Sequence, residues 1–170
     1  MAKYGWCKSE KVFLNWLRSA MRRVWVKHPV RLQMIQDARF KAPTASGRMI
    51  FHVRCAHCGK LYKTDDVEVN HKEQVGKDLS FETFGDYCYK LLVVTAEDLE
   101  ILCKKCHGIV TYSERSGMSM RDAAIEKKVI RFKTKTAEEQ KAGLAKLGFV
   151  PAKTIALRCE QAREYLRKIM

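Results

Sequence analysis

"RCAHCGKLYKTDDVEVNHKEQVG", residues 54–76, sets two thiols two residues apart and follows them, after an alternating run, with a histidine preceded by an asparagine. The pair Cys55-x-x-Cys58 is repeated as Cys103-x-x-Cys106. Two thiolates at this spacing reach one ion from a tight backbone knuckle, and two knuckles complete a tetrahedral site of four sulfurs. Gly59, just after the first pair, suits the turn such a knuckle needs. Four thiolates leave no open coordination position, so the expected ion is a structural Zn2+ that contributes directly to folding. Two other readings exist: cysteines buried as small hydrophobes, or a redox dithiol, which needs no second copy. Cys7, Cys88 and Cys159 remain, and buried free thiols are the default for them.

The cysteine count also bears on compartment. Seven cysteines are an odd number, four of them are paired as C-x-x-C, and the N-terminal "MAKYGWCKSEKVF" has no apolar centre of a signal peptide. No apolar run approaches the roughly 20 residues needed to cross a bilayer. Metal binding in a reducing cytoplasm, with no membrane partner, is therefore expected over a secreted disulfide scaffold. The chain has 170 residues, 46% of them hydrophobic, which allows a packed core.

Net charge is +14, and it is unevenly spread. Residues 1–54 carry twelve Lys/Arg against two acids, residues 55–112 seven against ten, and residues 113–170 fourteen against seven. Basic flanks attract a polyanion, and an acidic middle suits divalent-cation chemistry. A protein with merely solvated lysines is the plainer alternative.

Periodicity supplies the elements. Phe13, Trp16, Leu17, Ala20, Met21 and Val24 recur at three and four, predicting an amphipathic helix from Ser9 to about Lys27 that Pro29 ends or interrupts. A shorter helix is expected near Val30–Phe40, then a linker at 41–48, "KAPTASGR". "MIFHVRC" and Asp66-Val67-Glu68-Val69 read as two short strands, 75–80 as a loop, and 81–92 as a helix. His107 opens a further helix, and three more follow. One is capped by Ser119-x-x-Asp122, one by Thr136-x-x-Glu139 and ended by Gly148, and one lies beyond Pro151. The expected organisation is a basic helical extension over 1–48, a zinc domain over 49–115 and a helical extension over 116–170. Trp6, Trp16 and Trp25 read as core.

Cys-x-x-Cys, then Val-Asn-His, then Glu-Asp-Leu-Glu-Ile-Leu-Cys-x-x-Cys-His closely resembles the zinc-containing HNH endonucleases, most of all those encoded as free-standing genes by bacteriophages. The motifs cover about residues 50–115. The resemblance implies an α+β chain with a ββα-metal (His-Me finger) core, a structural four-cysteine zinc and flanking basic helices. It implies His71 as the general base, Asp98 at the middle position where Asn is usual, and His107 as a ligand of one catalytic Mg2+ or Mn2+. Asn70 falls where the family usually has Asp, the cation's second protein ligand. It further implies hydrolysis of DNA phosphodiester bonds, by nicking or double-strand cutting, leaving 5′-phosphate and 3′-hydroxyl ends, in phage homing or DNA processing inside an infected bacterial cell.

The residues suit that chemistry. An imidazole near neutrality can take a proton from water, and a hard cation can neutralise charge on a phosphate. Asn70 offers a neutral oxygen where a carboxylate binds such cations better. Asp98 is expected to compensate, either by accepting a hydrogen bond from His71 or by lending charge to the cation. For the polyanion, Arg18, Arg22 and Arg23 on the first helix and Lys104 and Lys105 in the second knuckle are the expected phosphate contacts of double-stranded DNA. Two further readings stay open: a catalytically weak zinc-dependent DNA-binding module, and a factor docking on a phage or host protein. A homodimer is compatible with double-strand cutting.

Overall fold

The computed structural model describes residues 5–44, 46–76 and 79–170. Ala45, from the expected linker, and Lys77 and Asp78, from the expected loop, lie outside the described residues, as do residues 1–4. The chain is mixed α+β and divides into two compact units, Met1–His107 and Gly108–Met170.

The first unit opens with α1, Glu10–Val26, whose N-cap Ser9 accepts from the Val12 N–H at 3.4 Å. Leu14 is buried and Trp25 half-buried, but Trp6 and Trp16 are 69% and 45% exposed, so only Trp25 meets the expectation of a core tryptophan. Pro29 does not interrupt a helix; it starts α2, Pro29–Ala38, where its missing N–H costs nothing. The chain then turns extended earlier than expected. Phe40–Pro43 is β1, paired antiparallel with β2, Met49–Arg54, from Phe40↔His52 to Pro43↔Met49. The stretch read as a linker is thus part of a hairpin. β3, Leu61–Lys63, pairs with the other edge of β2 and gives the order β1-β2-β3.

A second sheet positions the site. β4, Val67–His71, runs antiparallel to β5, Leu99–Cys103, with Val67 opposite Cys103, Val69 opposite Ile101 and His71 opposite Leu99. α3, Phe84–Leu92, and a 3-10 turn, Ala96–Asp98, lie between these strands in sequence. α4, Lys104–Ser116, follows β5 directly and runs from the first unit into the second. Side chains alternate between the two faces of a strand. Val67, Val69, Leu99 and Ile101 therefore share one face, where they pack with Val53 of β2, Trp25 of α1 and Met34 and Ile35 of α2. Each such buried aliphatic side chain stabilises the unit by about 1.5–3 kcal/mol. Glu68, Asn70, Glu100 and Leu102 take the opposite face.

The second unit is helical: α5, Met120–Lys133, α6, Ala137–Lys146, and α7, Ile155–Ile169. The predicted caps form, with Ser119 accepting from Asp122 N–H and Thr136 and Glu139 making a reciprocal capping box. Gly148, at φ +82°, ends α6 in a conformation that favours glycine. Ile125, Val129 and Cys159 form a buried cluster with Phe132 and Leu166 against it. Beside it Arg158, 5% exposed, donates to Gln140 Oε1 at 2.9 Å and to the carbonyls of Ala152 and Lys153. Gln140 Nε2 in turn donates to the carbonyls of Phe132, Lys133 and Lys135. A buried guanidinium is tolerated here because its donors find acceptors. Among the described residues no helix is long and apolar enough to cross a membrane.

Candidate functional site

The two cysteine pairs converge. The Sγ atoms of Cys55, Cys58, Cys103 and Cys106 all lie within 4.8 Å of one another, and no cysteine is in a disulfide. Zinc–sulfur bonds of about 2.3 Å in a tetrahedron put the sulfurs about 3.8 Å apart, so the cluster fits such an ion with small adjustment. The knuckles are built from backbone. Gly59, at φ +68°, donates to the Cys55 carbonyl at 3.0 Å, and Cys55 N–H donates to Lys60 O at 3.0 Å. Ala56 N–H reaches Ile101 O at 2.9 Å, tying the first knuckle to β5. The second pair spans the β5–α4 junction, where Cys106 N–H donates to Cys103 Sγ at 3.4 Å.

Crowding splits the thiols' proton affinities. The backbone N–H of Lys60, helped by Tyr62 and the other sulfurs, lowers Cys58 to about 6. Burial opposes ionisation of Cys103, but hydrogen bonds from Cys106 N–H and Tyr62 bring it below the ordinary thiol value. Burial and the neighbouring thiolates push Cys106 up. The four cysteines can therefore hold a structural metal ion such as zinc, whose charge would favour all four thiolates.

His71 closes β4 on the core face. Its Nε2 lies 3.1 Å from the Leu91 carbonyl, and its ring centroid 4.3 Å from that of Trp25. A carbonyl only accepts, so Nε2 carries the proton and the neutral ring keeps a lone pair on Nδ1. Burial lowers the pKa of this histidine below 6.5, and His28 adds to that, while Leu91 O and Asp98 act in the opposite sense. The anticipated hydrogen bond between His71 and Asp98 is not the one formed. Asp98 Oδ2 instead accepts from Thr95 N–H at 2.8 Å and Thr95 Oγ1 at 2.9 Å, while Lys72 N–H donates to the Asp98 carbonyl at 2.9 Å. These Thr95 bonds hold its carboxyl below the usual range. Asp98 is thus a capping residue that fixes the turn beside His71.

His107, in the first turn of α4, lies on the other face of the hairpin. Its Nδ1 pairs with Glu68 Oε2, which leaves Nε2 as its second ring donor atom. Asn70, 8% exposed, shares that face and donates from Nδ2 to Glu100 Oε1 at 3.1 Å. Glu100 Oε2 lies 3.2 Å from His57 Nε2, in the first knuckle. Residues 68 and 71 are an odd number apart on one strand, so Glu68, which pairs with His107, and His71 leave β4 on opposite faces. Sequence reading did not single out Glu68, Glu100 or His57. Alternation in β4 would have put Glu68 beside Asn70, whereas Glu100 becomes legible only once β5 is recognised as its partner.

The expected phosphate contacts divide. Arg22 and Arg23 are exposed on α1 and Lys105 is exposed on α4. Lys104 is exposed and pairs with Asp66 at 3.5 Å. Arg18 differs: it is half-buried, with its guanidinium 5.8 Å from the centroid of the Tyr87 ring of α3. Compared with models of known families, with curated proteins and with solved structures, the chain matches none.

Proposed function

We propose that this chain is a metal-dependent endonuclease of the HNH type that hydrolyses phosphodiester bonds of double-stranded DNA. One observation carries the reading: a two-stranded hairpin followed directly by a helix, with four thiols at their junction, presents Asn70 and His71 as neighbours at the strand's end on opposite faces. In-line displacement at phosphorus needs the nucleophile and the leaving oxygen on opposite sides. A phosphate seated over the strand's end would meet the His71 ring on one side and Asn70 with His107 on the other.

The donor set on that second side, an amide oxygen and an imidazole beside two carboxylates, suits a hard divalent cation such as Mg2+ or Mn2+. When bound, the cation supplies charge neutralisation on the phosphate and the leaving oxygen. The chain's own residues do the rest. His71 Nδ1 takes a proton from water, with the ring held by Leu91 O and Trp25. The Thr95–Asp98 cap fixes the turn that packs beside it. Glu68 orients His107 through Nδ1. Arg22, Arg23, Lys104 and Lys105 offer sequence-independent contacts to the backbone.

The test is nicking of supercoiled plasmid by zinc-loaded protein with and without Mg2+ or Mn2+. Cation-dependent nicking that falls by about 100-fold or more in His71→Ala is expected, the usual worth of a general base. A salt-sensitive gel shift with no cleavage would favour a zinc-dependent DNA-binding module, a reading that Asn70 in place of a carboxylate supports. Neither binding nor cleavage would favour a protein-interaction factor.

A further inference from the structure

Resting on this reading of the hairpin face, we propose that Glu100 is the positioning residue of the cation site, holding Asn70 by its amide nitrogen and supplying from the facing strand the negative charge that position 70 lacks. Asn70 and Glu100 are direct cross-strand partners, so their side chains leave the same face at the same level. The Asn70 Nδ2 to Glu100 Oε1 bond, 3.1 Å long, fixes which end of the amide faces the carboxylate. Oδ1 is then the end turned away, and oxygen is the atom a hard cation takes. The other Glu100 oxygen is occupied by His57 Nε2 at 3.2 Å, so the first cysteine knuckle holds the carboxylate in place.

This arrangement explains why an amide stands at position 70. An aspartate there would face Glu100 with a second carboxylate about as close as the present hydrogen bond, and like charges directly opposite on paired strands repel. Asp98 does not fill the role, because Oδ2 of its carboxylate is committed to Thr95. The charge therefore lies one strand over, on Glu100.

The test is calorimetric titration of Mn2+ into zinc-loaded full-length protein, for the wild type, Glu100→Gln, Asn70→Asp and the double variant. Each is first checked for one zinc per chain and an unchanged circular dichroism spectrum. Glu100→Gln is expected to weaken Mn2+ binding by about 10–100-fold, the usual cost of losing an outer-shell partner. Asn70→Asp alone should leave the affinity within a few-fold of wild type. In the double variant the charge and the amide exchange strands, and affinity should return to within a few-fold of wild type. Mn2+ binding that is unaffected by Glu100→Gln and strengthened by Asn70→Asp would overturn the inference while leaving the nuclease reading intact. Absence of Mn2+ binding in all four proteins would overturn both. If Glu100→Gln does not fold, Asn70→Asp against wild type still decides: tightening overturns the inference and no tightening supports it.

Discussion

At the scale of single residues, the state of His71 governs the proposed chemistry. Its ring is half-buried between Trp25 and the Leu91 carbonyl, and burial disfavours the imidazolium. A histidine whose folded pKa is depressed binds fewer protons than the unfolded chain. Its contribution to stability is therefore complete above the ordinary value of about 6.5 and is lost as pH falls through the folded pKa. The same shift keeps the base neutral in mild acid. The acid limb of a cleavage-rate profile should have its midpoint below about 6.5, and an NMR titration of the His71 ring should give the same direction. A midpoint above that value would exclude His71 in this environment as the titrating base. Asp98 makes a different prediction. Because its carboxylate closes a capping box with Thr95, Asp98→Ala should lower the midpoint of chemical denaturation, with Asp98→Asn losing less because an amide oxygen still accepts. The motif residues were legible because their spacing is local. The partners of His71 and Asn70 were not, since Leu91 and Glu100 lie 20 and 30 residues away, the first on α3 and the second on the facing strand β5.

At the scale of elements, the cysteine cluster joins pieces that have little local reason to stay together. β4 and β5 are five residues each, and a two-stranded hairpin of that size is marginal alone. A structural zinc contributes roughly 10–16 kcal/mol of apparent binding free energy, comparable with the whole stability of an ordinary domain. Cys103→Ser should therefore abolish stoichiometric zinc retention and remove cooperative unfolding of the first unit, followed by tryptophan fluorescence, since all three tryptophans precede residue 26. The helices were readable from their periods and caps: Ser119 and Thr136 each accept where predicted, and Ser9, the expected start of the first helix, caps it. The strands were less so. β1 hides in a stretch whose Pro, Thr, Ser and Gly suggest a linker; Pro43 is tolerated because β1 is an edge strand, where a missing N–H breaks no ladder. β5, "LEILC", is nearly continuous apolar sequence, because Leu99, Ile101, Leu102 and Cys103 are buried over both faces.

At the scale of the whole molecule, the charge is shared between the two compact units. Residues 1–107 carry nineteen Lys/Arg against twelve acids and residues 108–170 carry fourteen against seven, so each has a net charge of +7. If both units engage the duplex, affinity measured by fluorescence anisotropy should fall linearly in log–log form with salt, with a slope reflecting several neutralised phosphates at about 0.9 each. A slope near zero would remove the backbone-binding role of the basic flanks. The units also differ in what stabilises them, thiols in the first and an apolar cluster with the Arg158–Gln140 network in the second. Chelation of zinc should unfold the first and leave helical signal from the second. The most direct measurement of the central claim is X-ray absorption at the zinc edge of the purified protein, together with metal content. One zinc per chain surrounded by four sulfurs at about 2.3 Å is the expected result. A protein without zinc, or zinc held by nitrogen and oxygen, would contradict the claim that one ion joins the two knuckles and sets the hairpin against its helix.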